Sequence, residues 1–359
     1  PITGSTRMKG GSATKLILDA ILAHALRSRS ATRRAFTARA GSPGGASAQA
    51  TAVECIQHYL AACERTQALV YGQRRAISRL AAMGGCALRS GGHIYYLGAV
   101  PAGILGIIDA SECPPTFGAG FGDVRGFLTG GWRALLGTGH DLRYLGPHYR
   151  ISLDDFAKDV LPTLTQNDLV VGIGSGGWDR SVRTALRRSR RAGARVACVQ
   201  IGGAAPREPL DVLVSVPRVP TSPLPGVPLC EEYGTKIVLN ALTTAAHILC
   251  GKVYRNRMID LRISNNKLYH RAIGIVSHVA NVSAARARQC LLRSIYRADR
   301  LSRQMLHAAT SRHVSTATRL TKVVPIALVM ARHGVTYAQA EAAIRREPVV
   351  RVAIERLRT

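Results

Sequence analysis

Apolar positions along the chain change their period twice. From Ala13 to Leu26 they follow a helical spacing, with Leu16, Ile17, Ala20, Ile21 and Ala23 on one broad face. An Arg/Ser/Gly-rich, loop-like stretch, Arg27 to Ser47, comes next. Helical patterns return from about Ala50 to Leu69 and from about Arg74 to Met83, the latter running into a glycine-rich break. HIYYLGAV (His93 to Val100), LVVGIGS (Leu169 to Ser175), RVACVQIG (Arg195 to Gly202) and LDVLVSV (Leu210 to Val216) are then near-continuous apolar strands. Strands of that kind are covered on both faces, which predicts a parallel sheet between helical layers, two of the helices being Asp154 to Leu161 and Ser181 to Ala192. The Pro-rich PRVPTSPLPGVP (Pro217 to Pro228) cannot join a ladder. A long helix follows from Gly234, and beyond about Ile259 the pattern is helical to the end, punctuated by Gly334 and Pro348.

A repeat sharpens this organisation. SATKLILDAILAHAL (Ser12 to Leu26) and YGTKIVLNALTTAAHIL (Tyr233 to Leu249) share a hydroxyl-Lys start, the same apolar spacing and a late His. One copy ends a complete α/β unit; the other opens the chain. The expected division is 1–83 as the C-terminal part of a first α/β domain, 84–258 as a second, and 259–359 as a helical domain. The chain is therefore read as starting inside a larger protein, in keeping with an opening that has neither initiator Met nor apolar signal core.

Composition excludes several classes. The 359 residues carry a formal charge of +28, yet seven of the 49 basic residues are Lys and the Arg are scattered among Ala. No nucleic-acid-binding module accompanies the charge, so no specific nucleic acid is expected. The longest apolar run, Val323 to Ala331, is too short for a membrane span. The eight Cys are widely spaced without a C-x-x-C pair, which points to buried free thiols in a reducing compartment and to no metal site. No cofactor is expected.

The stretch TGSTRMKGGSATK (Thr3 to Lys15) sets hydroxyls, glycines and a guanidinium before a helix, a composition suited to a phosphate. Together with DASECPPTFG (Asp109 to Gly118) and GKVYRNRMIDLRISNNKL (Gly251 to Leu268), it resembles the sugar isomerase (SIS) family members that handle 6-phosphosugars. Two groups share these motifs, the N-acetylmuramic acid 6-phosphate etherases and the glucokinase regulatory proteins. FGDVRGFL (Phe121 to Leu128), DLRISNNKL, the tandem arrangement and the helical C-terminal region resemble the second more closely. The resemblance implies a SIS-type parallel sheet flanked by helices, preceded by the helical tail of a first SIS domain and followed by an all-helical lid, with the two SIS domains paired within one chain.

The same resemblance implies functional residues. The family's phosphate turn, G-x-G-T-S-G, matches GAVPAGILG (Gly98 to Gly106), where Pro101 removes an N–H and the hydroxyl pair is missing. Its second loop, A-S-G-R-T, matches SGGWDRS (Ser175 to Ser181), with Gly176 and Trp178 in place of Ser and Arg. This sheet is expected to have lost its pocket. The pocket of the first copy would keep Ser5, Thr6 and Arg7 as phosphate donors, with Glu112 reaching its sugar hydroxyls and Lys267 closing over it from the lid. Each has a plainer alternative: a helix cap or surface pair for Arg7, backbone N–H groups at a helix start near Pro114 for Glu112, an exposed helix position for Lys267. Lys9 and Lys15 are read as solvated or helix-pairing.

The implied function is a non-catalytic sensor of fructose 6-phosphate or fructose 1-phosphate that inhibits a glucokinase or hexokinase in the cytoplasm, with the nucleus as a second location. The alternative is an etherase-like lyase, with Glu112 as the acid/base and Asp141 as the available second acid. The Pro-rich loop 217–228 lacks the aromatic anchors with which regulatory proteins dock on glucokinase.

Overall fold

The computed structural model describes residues 52–137, 141–218, 229–254, 257–347 and 349–356. Two helices lead in, α1 (Ala52–Gly72) and α2 (Arg74–Arg89). The second runs straight through Gly84 and Gly85, where the sequence suggests a break. Both glycines face a later helix, α6 (Leu229–Leu249). A Cβ on Gly84 would stand 2.7 Å from Leu242, and one on Gly85 3.0 Å from the Cβ of Leu249. The absent side chains thus serve close helix packing rather than termination.

The sheet comprises β1 (Ile94–Gly98), β2 (Val124–Leu128), β3 (Leu169–Ser175), β4 (Arg195–Ile201) and β5 (Val212–Val216), all parallel in the order β2-β1-β3-β4-β5. Alternate residues feed two cores. Ile94, Tyr96, Val171, Val199 and Val214 join the layer containing α2, α6 and α3 (Ala102–Phe117). Tyr95, Leu97, Val170, Val196 and Cys198 pack on the other side against Val182 and Leu186 of α5 (Arg180–Arg191) and against an irregular helical segment spanning 153–163. Burial on both faces explains why the strands read as unbroken apolar runs.

Strand β2 escapes the hydrophobic pattern because Arg125 and Gly126 interrupt its five residues. The glycine is needed where α3 crosses: a Cβ there would lie 2.8 Å from the Ile107 backbone. Helix α4 (Gly131–Leu136) follows β2.

After α6, a hairpin of β6 (Val253–Tyr254) and β7 (Arg257–Met258) leads out of the sheet unit. Met258 packs in the sheet core and Ile259 in the next one. That third core is built from α7 (Asn266–Ala280), α8 (Ala284–Tyr296), α9 (Arg303–His307), α10 (Thr310–Ala317), α11 (Val323–His333), α12 (Tyr337–Arg346) and α13 (Val350–Glu355). Local chemistry sets their ends. Asn265, Ser283 and Ser302 cap helix starts, Thr336 and Gln339 form a capping box, and Gly334 closes α11 in the left-handed region. No helix among the described residues is long and apolar enough to cross a membrane, and no group of three or more His, Cys, Asp or Glu among them could hold a metal ion.

Candidate functional site: a closed crevice and a charged seam

In an open parallel sheet the ligand crevice lies beyond the carboxyl ends of the strands where the order reverses, here between β1 and β3. That crevice is closed by its own residues. After β1, the Gly103 N–H donates to the Ala99 carbonyl at 2.7 Å, so the first turn of α3 spends a donor on its own backbone. After β3, Asp179 caps α5: its Oδ1 accepts the Ser181 N–H at 2.9 Å, the Val182 N–H at 3.2 Å and the Ser181 hydroxyl. Thr129, at the end of β2, adds its hydroxyl at 3.5 Å. The Ser181 hydroxyl, with the two helix N–H groups, holds the Asp179 carboxyl below the usual carboxylate range. These are the donors a phosphate would need at a helix N-terminus. The carboxylate already occupies them with negative charge.

Trp178 fills the space beside them. Its indole covers β3 so closely that a Cβ on Gly174 would stand 2.7 Å from the ring, and one on Gly172 3.0 Å. The end of β3 is therefore covered by the chain's own indole.

Glu112 lies elsewhere, within α3. That helix runs through Pro114 and Pro115 and ends at Gly118, which is left-handed at φ 58°. Pro114 marks a helix end, so the plainer alternative for Glu112, capping a helix start, does not hold. The half-buried Glu112 carboxylate instead meets Lys236 of α6, with Oε2 3.6 Å from Nζ and the Lys side chain 10% exposed. Lys236 is the lysine of the repeated Thr-Lys start. One helical turn earlier, Asp109 is buried and structural: Tyr96 donates its hydroxyl to Oδ2 at 2.9 Å, and Thr243 donates to Oδ1 at 3.5 Å.

The end of α3 meets the helical unit at a seam built around Asp260. This carboxylate, 1% exposed, lies 3.2 Å from Lys252 Nζ and 2.7 Å from Lys322 Nζ. Lys252 also donates to the Phe117 and Gly118 carbonyls at 3.0 and 3.2 Å, where the α3 dipole leaves negative charge. A Cβ on Gly118 would be 2.8 Å from the Asp260 carboxyl carbon, so the left-handed glycine makes room for the acid as well as for the turn. Lys322 itself is left-handed, at φ 60°, at the start of α11. Four segments, the end of α3, the turn after α6, the link at 260 and the start of α11, thus share one buried charge.

Lys267 occupies the first turn of α7, solvent-exposed, directly after the cap Asn265. Among the described residues it forms no ion pair, and Glu112 pairs with Lys236 rather than with it. Ser5, Thr6, Arg7, Lys9 and Lys15 lie outside the described residues, as does most of the Pro-rich loop. Asp141, the second acid required by the lyase alternative, is on the loop after α4 and is paired with Arg143 at 2.6 Å.

Comparison with known proteins bears on this arrangement. Residues 71–175 match the second SIS domain of glucokinase regulatory protein, and residues 255–354 match the C-terminal lid domain of the same protein. The chain belongs to the glucokinase regulatory protein family. It is 32% identical to the glucokinase regulatory protein of Xenopus laevis over 99% of this chain and 56% of that one. With the protein of Homo sapiens it shares 33% identity over 95% of this chain and 54% of that one. The chain thus spans little more than half the length of these regulatory proteins. It is also 36% identical to the N-acetylmuramic acid 6-phosphate etherase of Serratia proteamaculans, over 60% of this chain and 71% of that one.

The five-stranded unit is accordingly the second SIS domain of a regulatory-protein chain, and the helical unit its lid. Asp179, Lys236, Lys252 and Asp260 escape a reading of the sequence alone. Asp179 had a signal, an acidic residue just before a helical pattern; the other three acquire partners more than one hundred residues away or across two domains, with Lys252 and Asp260 meeting only because the hairpin folds back.

Proposed function

We propose that the chain forms part of a non-catalytic, fructose-phosphate-responsive inhibitor of a glucokinase-type enzyme. The single observation that carries this reading is the closed crevice. A SIS sheet whose helix N-terminus already holds Asp179 and whose β3 is covered by Trp178 has no phosphate pocket of its own, so it acts as a support for a pocket formed with Ser5, Thr6 and Arg7. In that pocket Glu112 accepts hydrogen bonds from sugar hydroxyls and Lys267 contributes its ammonium from the lid. The ligand then holds sheet and lid in one arrangement, which a partner binds differently from the empty one. Site of action in the cytoplasm, with the nucleus as a second location, and the division at 83/84 and 258/259 belong to the same proposal.

The lyase alternative draws on the etherase relatives. It requires a second acid beside Glu112. Asp109 is buried on Tyr96, and Asp141 is turned to Arg143, so neither supports it.

Calorimetric titration of the full-length protein with fructose 6-phosphate, fructose 1-phosphate and N-acetylmuramic acid 6-phosphate tests the proposal. The expected result is saturable binding of a fructose phosphate, with no lactate released from the muramic acid ester. Lactate release, or indifference to both fructose phosphates, would overturn it.

A further inference from the structure

Helices α3 and α6 are clamped at a fixed height. Asp109 of α3, 2% exposed, accepts the Tyr96 hydroxyl at 2.9 Å and the Thr243 hydroxyl of α6 at 3.5 Å. Nearer the start of α6, Gly234 admits close packing on α1 and β5: a Cβ there would stand 2.7 Å from Thr66 and 2.8 Å from Val216. Lys236 lies between Gly234 and Thr243, and Glu112 follows Asp109 by one helical turn, so packing sets the position of both.

The ion pair they form is asymmetric. Lys236 is buried, and an ammonium so placed needs an anion at hand. Glu112 supplies it through the buried Oε2, 3.6 Å from Nζ, while 29% of the Glu112 side chain stays exposed. The carboxylate thus turns one oxygen to the lysine and keeps the side chain open to the surface. An ionised carboxylate accepts hydrogen bonds at both oxygens, whereas a protonated one donates from one of them. A phosphate monoester carries about −1.5 to −2 charge at neutral pH, and a like charge nearby favours the protonated carboxyl. A fixed cation behind Glu112 opposes that effect.

We propose that Lys236 is a positioning residue for fructose-phosphate binding: it acts through Glu112, holding that carboxylate ionised and turned toward the sugar hydroxyls while the phosphate is bound. The inference rests on the ligand role given to Glu112 under the proposed function. It also gives the repeat a use. Thr235 and Lys236 stand in the second copy where Thr14 and Lys15 stand in the first, and here the lysine serves a carboxylate of its own domain.

The test is a double-mutant cycle in the full-length protein. Fructose 6-phosphate is titrated by calorimetry into the parent, Lys236→Met, Glu112→Gln and the double variant, with a melting curve for each. Lys236→Met is expected to bind at least about fivefold more weakly. The double variant should bind no more weakly than Glu112→Gln alone, because the carboxylate through which Lys236 acts is already discharged. Lys236→Arg, which keeps the cation, should bind more tightly than Lys236→Met. If Lys236→Met does not fold, the double variant, with both charges gone, still carries the comparison with Glu112→Gln. Parent-like affinity in Lys236→Met overturns the proposal and makes the pair structural only. Independent, additive losses in the double variant overturn it by placing Lys236 on the ligand or on the fold, and an arginine variant no better than the methionine one overturns it too. Unchanged affinity in Glu112→Gln removes the ligand role of that residue and this inference with it. A loss in Glu112→Gln with none in Lys236→Met leaves that role standing and removes this inference alone.

Discussion

The crevice above β1 and β3 and the seam around Asp260 lie at two ends of one SIS unit, and both hold a carboxylate against positive charge. At the crevice, Asp179 is satisfied by residues two and three positions away, on the helix it caps. Apart from the long contact with the Thr129 hydroxyl, its charge is spent locally. At the seam, Asp260 is shared by lysines that come from the turn after α6 and from the lid. Here charge fastens separate segments. On the proposed function, the difference is that of a scaffold: the helix N-terminus at the crevice is filled by the chain's own carboxylate, and the long-range electrostatic contact lies at the seam.

The largest expected effect comes from breaking the seam. Asp260→Ala leaves the part-buried Lys252 and Lys322 ammonium groups, 12% and 32% exposed, facing each other and should cost about 3 kcal/mol in chemical denaturation. Asp260→Asn, which keeps the shape and removes the charge, should fall between the alanine variant and the parent. Equal stability of all three would remove the contrast with the crevice. A middle-sized effect is expected at the covered strand, where Gly174→Ala drives a Cβ into the rigid Trp178 ring. The cost should be about 1–3 kcal/mol, checked by thermal unfolding and by a change in the Trp178 emission. The smallest is Asp179→Ala, which removes a helix cap worth about 1 kcal/mol at neutral pH. Because the folded Asp179 carboxyl titrates below its unfolded value, its contribution is present above the unfolded value near pH 4 and is lost as pH falls through the folded one. The parent should therefore lose its advantage over Asp179→Ala on acidification, as measured by urea midpoints across the acid range.

How much of this could be read in the sequence depends on the range of the contacts involved. Strands β1, β3, β4 and β5 are legible because burial on two faces leaves apolar runs; β2 is not, since its middle residues are an arginine on the rim and a glycine beneath α3. Gly84 and Gly85 look like punctuation because nothing local says that α6 will pass beside them. The expectation that the phosphate loops are lost rests on Pro101, Gly176 and Trp178. That Asp179 takes over the vacated donors is a matter of geometry. Glu112 stands out through its motif, whereas its partner Lys236 becomes visible only when α3 and α6 are packed together.

On the proposed function, Glu112 and Lys267, from sheet and lid, meet one fructose phosphate. Titration of fructose 6-phosphate into full-length parent, Glu112→Gln, Lys267→Ala and Asp179→Ala proteins tests it most directly, with unfolding curves recorded for each. Affinity should be at least about tenfold weaker for the Glu112 and Lys267 variants, as expected for hydrogen bonds to charged groups, and unchanged for Asp179→Ala. Parent-like affinity in both of the first two, or a loss confined to Asp179→Ala, would contradict it.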